Sequence, residues 1–478
     1  MGKTIGLIAG PLLFIILLSS LTLDNLQPGA SQVLALAVWM VVWWITDAVP
    51  LPVAALLPLI LYPVFGIFTM AEAAAPYASP IIFLFMGGFL IALAMEKQNL
   101  HRRIALNILK MTGTKANGII LGFMLATAFL SMWISNTATA VMMLPIALSI
   151  VNLLEEEKPE GRETAFRKFK LGLMLSIAYA ANIGGVTTVI GTPPNVVFVG
   201  FMKEFYDQDV DFAQWLLIGI PVCFVMLTVT YLLITRVLFR HGLGKLSGSG
   251  ELVRTKLREL GSMGRAESMV AWIFLATACC WVFKTQINAA FGGDYLNDTI
   301  IAMGGGLLMF VLPVSLKKHE YVLNWKYTEK LPWGILLLFG GGMCLAKGLE
   351  RSGAVEYMGN AIAGDGTMAL WILIALLTAF TLYATELTSN VALTTIFLPI
   401  VLSLSDNLAI NPMYLAIPVT LAASCAFMMP ISTPPNAIVF SSGYIRMTDM
   451  VKAGFWLNLI TVVILVLLTL VLVPWVYG

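Results

Sequence analysis

Charge is the scarcest thing in this 478-residue sequence. Only 11% of the residues are Asp, Glu, Lys or Arg, while 59% are hydrophobic; a soluble domain of this length carries roughly twice that charge. The shortage excludes a water-soluble fold and points to an all-α integral membrane protein. Histidine is nearly missing: His101, His241 and His319 all fall in predicted loops. The five cysteines, at 223, 279, 280, 344 and 425, sit inside apolar runs without metal-ligand spacing and read as small packing residues. No nucleophile paired with a base, metal cluster or nucleotide-binding loop occurs, so an enzyme, an organic cofactor and a nucleic-acid partner are not expected.

What the chain has instead is apolar runs, and crossing about 30 Å of hydrocarbon takes about 20 residues each. The reading places about eleven transmembrane helices near 5–23, 31–49, 51–68, 79–95, 171–201, 213–235, 269–290, 299–316, 333–349, 413–440 and 453–476. Two further apolar regions, 118–153 and 368–404, are broken in the middle by polar residues and read as re-entrant hairpins. Lysine and arginine test this arrangement, because cytoplasmic loops collect them. With the N-terminus inside and neither hairpin crossing, the inner segments 97–117, 154–170, 236–268, 317–330 and 441–452, with Lys3, hold 24 of the 28. The expected protein is therefore multi-pass, with a cytoplasmic N-terminus and an extracytoplasmic C-terminus. Short loops suggest a bacterial plasma membrane. No A-x-A-like site follows the first run, and "DNLQPGAS" leads straight into another, so an uncleaved first span is expected rather than a signal peptide.

The halves repeat. "FMGGFLIALAMEKQNL" (85–100) aligns without a gap to "FGGGMCLAKGLERSGA" (339–354), and the offset of 254 persists to Ser135/Ser389, Asn136/Asn390 and Pro145/Pro399. Further on, "IGTPPNVVF" (190–198) matches "ISTPPNAIVF" (431–440). Five crossings separate Glu96 from Glu350, an odd number, so the copies lie in opposite orientations. Inverted repeats with interrupted helices are the sequence signature of a secondary transporter whose site lies near the midplane. A channel pore is disfavoured, since neither charge rings nor a carbonyl filter is evident.

Within the repeats the polar blocks carry the chemistry. Ser and Asn at a hairpin tip cap helix N-termini. In "TPPN", Thr192 or Thr433 can cap, and the following prolines, Pro193 and Pro194 or Pro434 and Pro435, break the helix ahead of them; Asn195 and Asn436 complete each break. Helix N-termini suit a carboxylate or another oxyanion. Carbonyl and hydroxyl oxygens suit a hard cation. No charged residue lies in 118–150 or 171–202, and Glu386 is the only one in 368–404. A dianion bound there would need bound cations to offset its charge, which predicts cation coupling. Glu386 reads either as a proton or cation group or as a satisfied buried carboxylate. Glu96 and Glu350 end equivalent helices, as caps or ion pairs more readily than as a proton relay. The glycine groups at 87–88, 304–306 and 340–342 read as close helix packing. The basic stretch 238–260 reads as an amphipathic interfacial helix, and the charged run 155–170 as a solvated loop or helix pair.

These residues resemble the divalent anion:sodium symporter family over almost the whole chain, through the paired "SNT" and "SNV" tips and the paired "TPPN" breaks. The resemblance implies transport of succinate, malate, fumarate, citrate or, in some branches, sulfate. It also implies a homodimer embedded in lipid that works as an elevator. Scaffold helices would occupy 1–117 and, after a cytoplasmic interfacial helix, 236–367; the transport domain would be 118–235 and 368–478. One sodium ion would be held by Ser131, Ser135, Asn136 and Gly191, and a second by Thr385, Ser389, Asn390 and Ser432. Substrate carboxylates would contact Asn136, Thr137, Asn390, Val391, Thr433 and Pro434. Val391 departs from the "SNT" pattern and removes a hydroxyl, a loss of about 0.5 to 1.5 kcal/mol; citrate-transporting members are similar in having Val there. Branches that exchange dicarboxylates without net sodium movement also exist, and the sequence leaves that mode open, together with an ion-only antiporter built on Glu386.

Overall fold

A computed structural model describes residues 2–20, 29–156, 162–246, 248–354, 357 and 368–478. Parts of the "DNLQPGAS" connection, of the charged run 155–170 and of the basic stretch 238–260, and the expected boundary at 367, lie outside the described residues. The chain is helical almost throughout: α1 (Gly2–Ser20), α2 (Ala30–Thr46), α3 (Leu51–Ala54), α4 (Leu57–Val64), α5 (Met70–Ala74), α6 (Pro80–Lys97), α7 (Leu100–Thr112), α8 (Ala116–Ser131), α9 (Asn136–Glu156), α10 (Glu163–Gly185) and α11 (Pro193–Tyr206) form the first part. The second comprises α12 (Phe212–Leu232), α13 (Ser249–Glu259), α14 (Arg265–Val282), α15 (Lys284–Phe291), α16 (Asp298–Val311), α17 (Trp333–Arg351), α18 (Leu370–Thr385), α19 (Asn390–Asn407), α20 (Met413–Ala423), α21 (Pro434–Phe440) and α22 (Met447–Tyr477). A short antiparallel pair, β1 (Pro313–Ser315) and β2 (Glu320–Tyr321), follows α16.

Among the described residues, eight helical stretches are long and apolar enough to cross a membrane: Lys3–Ser20, Met70–Lys97, Asn136–Leu153, Phe212–Leu238, Arg265–Val282, Trp333–Arg351, Asn390–Asn407 and Met447–Tyr477. Length alone therefore admits the second arm of each expected hairpin as a span. The distinction between a hairpin and a crossing rests on the charge distribution.

The run 51–68 is not one helix. Pro58 would force its ring against the carbonyl of Ala54 in a continuous helix, and the chain divides into α3 and α4 there. The basic stretch 238–260 is likewise only half helical. Gly242 and Gly248 take φ of 65° and 73°, in the left-handed region that glycine tolerates best, so helix forms only from Ser249 onward.

At the centre of the fold, α10 is buried from Leu171 through Gly185 and α11 from Pro194 through Met202; α20 is buried from Leu415 through Ala423. On the outside, Phe224, Trp272 and Val471 stand well exposed, as apolar faces do where lipid replaces water. With lipid as apolar as leucine, helices associate through close small-residue contact. Gly87 illustrates this, since a Cβ there would collide with the backbone of Ala302 on α16.

Candidate functional site

Four chain breaks converge on one cavity of about 570 Å³. Two are the turns between α8 and α9 and between α18 and α19. The others interrupt the pairs α10/α11 and α20/α21, where Val186–Thr192 and Ser424–Thr433 leave the helix. Ser135, Asn136, Thr137, Gly191, Thr192, Pro193 and Pro194 line the cavity from the first half; Ser389, Asn390, Val391, Ser432, Thr433, Pro434 and Pro435 line it from the second. Ser131, Thr385, Asn195 and Asn436 lie behind this surface, fully buried.

The two turns are built alike. Ser131 Oγ lies 2.7 Å from Ala181 O and 2.5 Å from Asn136 Oδ1. Thr385 Oγ1 lies 2.8 Å from Ala423 O and 2.7 Å from Asn390 Oδ1. In each trio three oxygens share a single hydroxyl proton, an excess of lone pairs that suits a hard cation. Ser135 Oγ accepts from Ala138 N at 3.2 Å, and Ser389 Oγ accepts from Ala392 N at 3.5 Å, so each serine caps the helix it precedes. The second arms α9 and α19 thus start at the cavity with their first-turn amides toward it.

The unwound stretches are held by asparagines. Asn195 Nδ2 donates to Val186 O and Thr188 O, at 3.2 and 2.8 Å. Asn436 Nδ2 reaches Ala426 O, Met429 O and Ser432 Oγ, each at 3.1 Å. Thr433 Oγ1 accepts from Asn436 N and caps α21. Thr192 does not cap α11; its hydroxyl is 3.2 Å from Ser424 Oγ, in the other half of the chain. Asn182 makes the reciprocal link, donating to Ala426 O and Thr433 Oγ1.

The halves differ most beside the turns. At position 132 the first half has Met132, whose carbonyl accepts from Thr188 Oγ1 at 2.5 Å. The second half has Glu386, 3% exposed. Its Oε1 accepts from Phe427 N, Met428 N and Asn458 Nδ2 at 2.7 to 2.8 Å, and its Oε2 from Met429 N at 3.0 Å. Four donors on one carboxylate make a satisfied anchor for the unwound backbone, in keeping with the second of the two readings the sequence left open.

Sequence reasoning missed Asn182, although it is the only side-chain amide in the apolar run 171–191. It also missed the facing wall, where α6 contributes Phe85, Phe89 and Glu96 and the start of α17 contributes Ile335. Lys330, just ahead of α17, stands on the same wall. Glu350, which sequence pairs with Glu96, is not among the cavity-lining residues.

Residues 5–477 match the model of the sodium:sulfate symporter transmembrane region. The chain is 41% identical to the sodium-dependent dicarboxylate transporter SdcS of Staphylococcus saprophyticus, over 100% of its own length and 92% of that protein's. It is 40% identical to the SdcS of a bovine Staphylococcus aureus strain with the same coverage. Among solved structures it resembles the Alcanivorax borkumensis YdaH transporter, with TM-score 0.58 at 13% identity, covering 87% of this chain and 88% of that one. It also resembles Neisseria gonorrhoeae MtrF, with TM-score 0.60 at 12% identity, covering 98% and 94%.

Proposed function

The chain belongs to the sodium:sulfate symporter family, the divalent anion:sodium symporters, and on that premise we propose that it imports C4-dicarboxylates such as succinate, malate and fumarate, or related tricarboxylates, in symport with sodium. It is a multi-pass membrane transporter and not an enzyme. The observation that carries the reading is the pair of oxygen trios set behind a cavity whose tips and breaks bear no cationic side chain. A dianion there meets helix N-termini, each equivalent to about half a positive charge. Those partial charges are spread over backbone dipoles, and two cations in the trios supply the full charges that offset a buried dianion.

In this reading Ser131, Ser135, Asn136 and Gly191 hold one sodium ion, and Thr385, Ser389, Asn390 and Ser432 the other. Asn136, Thr137, Asn390, Val391, Thr433 and Pro434 face the anion. The topology is eleven spans with two hairpins, N-terminus inside and C-terminus outside. Segments 118–235 and 368–478 form a transport domain that moves as an elevator against scaffold helices in 1–117 and 236–367 of a homodimer. Glu96 and Lys330 stand exposed on the cavity wall, at the ends of segments that the lysine and arginine distribution assigns to the cytoplasm.

The test is uptake of labelled succinate into proteoliposomes, with and without an inward sodium gradient and with citrate and sulfate as competitors. Uptake that requires the gradient, with competition ranking the anions, is the expected result. Uptake indifferent to sodium but stimulated by internal dicarboxylate would replace symport by exchange.

A further inference from the structure

The cavity wall facing the tips carries charge that the site does not use. Among the described residues lining the cavity, only Glu96 and Lys330 are ionisable, and both side chains are exposed. Lys330 ends a 3₁₀ turn, Trp325–Lys330, fixed at its start by Asn324 Oδ1, which accepts from Tyr327 N at 3.2 Å. Its ammonium lies 4.4 Å from the centre of the Tyr327 ring and 3.3 Å from the phenol oxygen. No carboxylate of a described residue forms an ion pair with it; Glu96, on the same wall, has no ion-pair partner among them either.

A cation held against an aromatic face, with one proton given to the phenol oxygen, keeps its position while leaving its other ammonium protons free. A cleft with one unpaired cation raises the local concentration of anions and their rate of entry. A small dicarboxylate fills only part of a 570 Å³ cavity, so there is room for it to visit this wall before or after it sits at the tips. We infer that Lys330 forms a vestibular subsite for a substrate carboxylate, the first cation met on the path between the site and the adjoining solution, and that Glu96 weakens this subsite so that the anion is passed on rather than trapped. The inference rests on the cavity being the path of a multivalent organic anion, as proposed above.

The experiment measures association rates and apparent affinities of labelled succinate and citrate for the purified full-length protein at saturating sodium. Choline chloride raises ionic strength from about 0.1 M to about 1 M, shortening the Debye length from about 10 Å to about 3 Å. Lys330→Gln is expected to slow association about three- to tenfold at the lower ionic strength, more for citrate than for succinate. The difference should shrink as salt rises, and Lys330→Arg should restore the rate. Glu96→Gln should act with the opposite sign, speeding entry and slowing release. Equal rates in Lys330→Gln and wild type, or a loss that salt does not change, would overturn the subsite while sodium-dependent binding by wild type left the transport reading in place. Absence of sodium-dependent binding in wild type would overturn both.

Discussion

Ser131 and Thr385 each present one proton to two oxygen acceptors. Replacing either by alanine deletes an oxygen from its trio without changing the backbone. Such a loss costs about 1 to 2 kcal/mol, so Ser131→Ala and Thr385→Ala should each raise half-saturating sodium about five- to thirtyfold in flux measurements, with a smaller effect on succinate at saturating sodium. An unchanged sodium dependence would remove these trios from the cation sites. Glu386 acts differently, since every donor it meets is structural. Glu386→Gln leaves an amide NH₂ facing backbone N–H groups, each previously paired with a charge and worth about 1.5 to 3 kcal/mol. Thermal unfolding in detergent should fall by several degrees and uptake should be lost; an unaltered melting temperature would show that these bonds do not hold the second break together.

Among the elements, the broken helices and their caps were the most readable part of the sequence, because proline and asparagine leave local signals that need no tertiary knowledge. Pro193, Pro194, Pro434 and Pro435 stand at helix starts, and Ser135 and Ser389 at N-caps. The misses share a different cause. Thr192 has the sequence of a cap, yet its hydroxyl is taken by Ser424, 232 positions away; Lys330 reaches the cavity wall because the chain before α17 packs on α6, Leu331 against Leu90 and Leu93. Such partners depend on topology and leave no local pattern. Close packing between elements was partly legible in the glycines. A Cβ on Gly185 would come within 2.5 Å of Asn136 Oδ1, so Gly185→Ala should displace the first turn. It should abolish sodium-driven uptake while lowering the melting temperature only modestly, whereas Gly304→Ala, with open space around its Cβ, should transport normally.

Across the whole molecule, contacts tie the segments expected to move to those expected to stay. Lys347 on α17 meets Glu204 on α11 at 2.9 Å. Lys284 on α15 pairs with Asp211 and, at 2.9 Å, with Asp298 on α16, whose other oxygen accepts from Phe212 N at 2.8 Å. An elevator stroke has to break this cluster. Removing the shared cation in Lys284→Met leaves Asp211 and Asp298 facing each other and should shift molecules toward the opposite orientation. Hydrogen exchange at 207–212 should accelerate, and an Ile335→Cys thiol on the cavity wall should label more slowly from the Lys330 side, in a background lacking Cys279 and Cys280. Unchanged labelling would show that this cluster does not resist the stroke.

The paired turns and breaks give the cavity two similar halves, but the tips read Thr137 on one side and Val391 on the other. Succinate is itself twofold symmetric, and a site with true twofold symmetry would leave its two carboxylates indistinguishable. In the proposed site one end would meet a hydroxyl and the other a methyl-bearing surface, so the bound molecule would lose its symmetry. Succinate labelled with carbon-13 at both carboxyls, bound in the presence of sodium, should therefore give two carbonyl resonances where the free anion gives one, and Val391→Thr should draw them together.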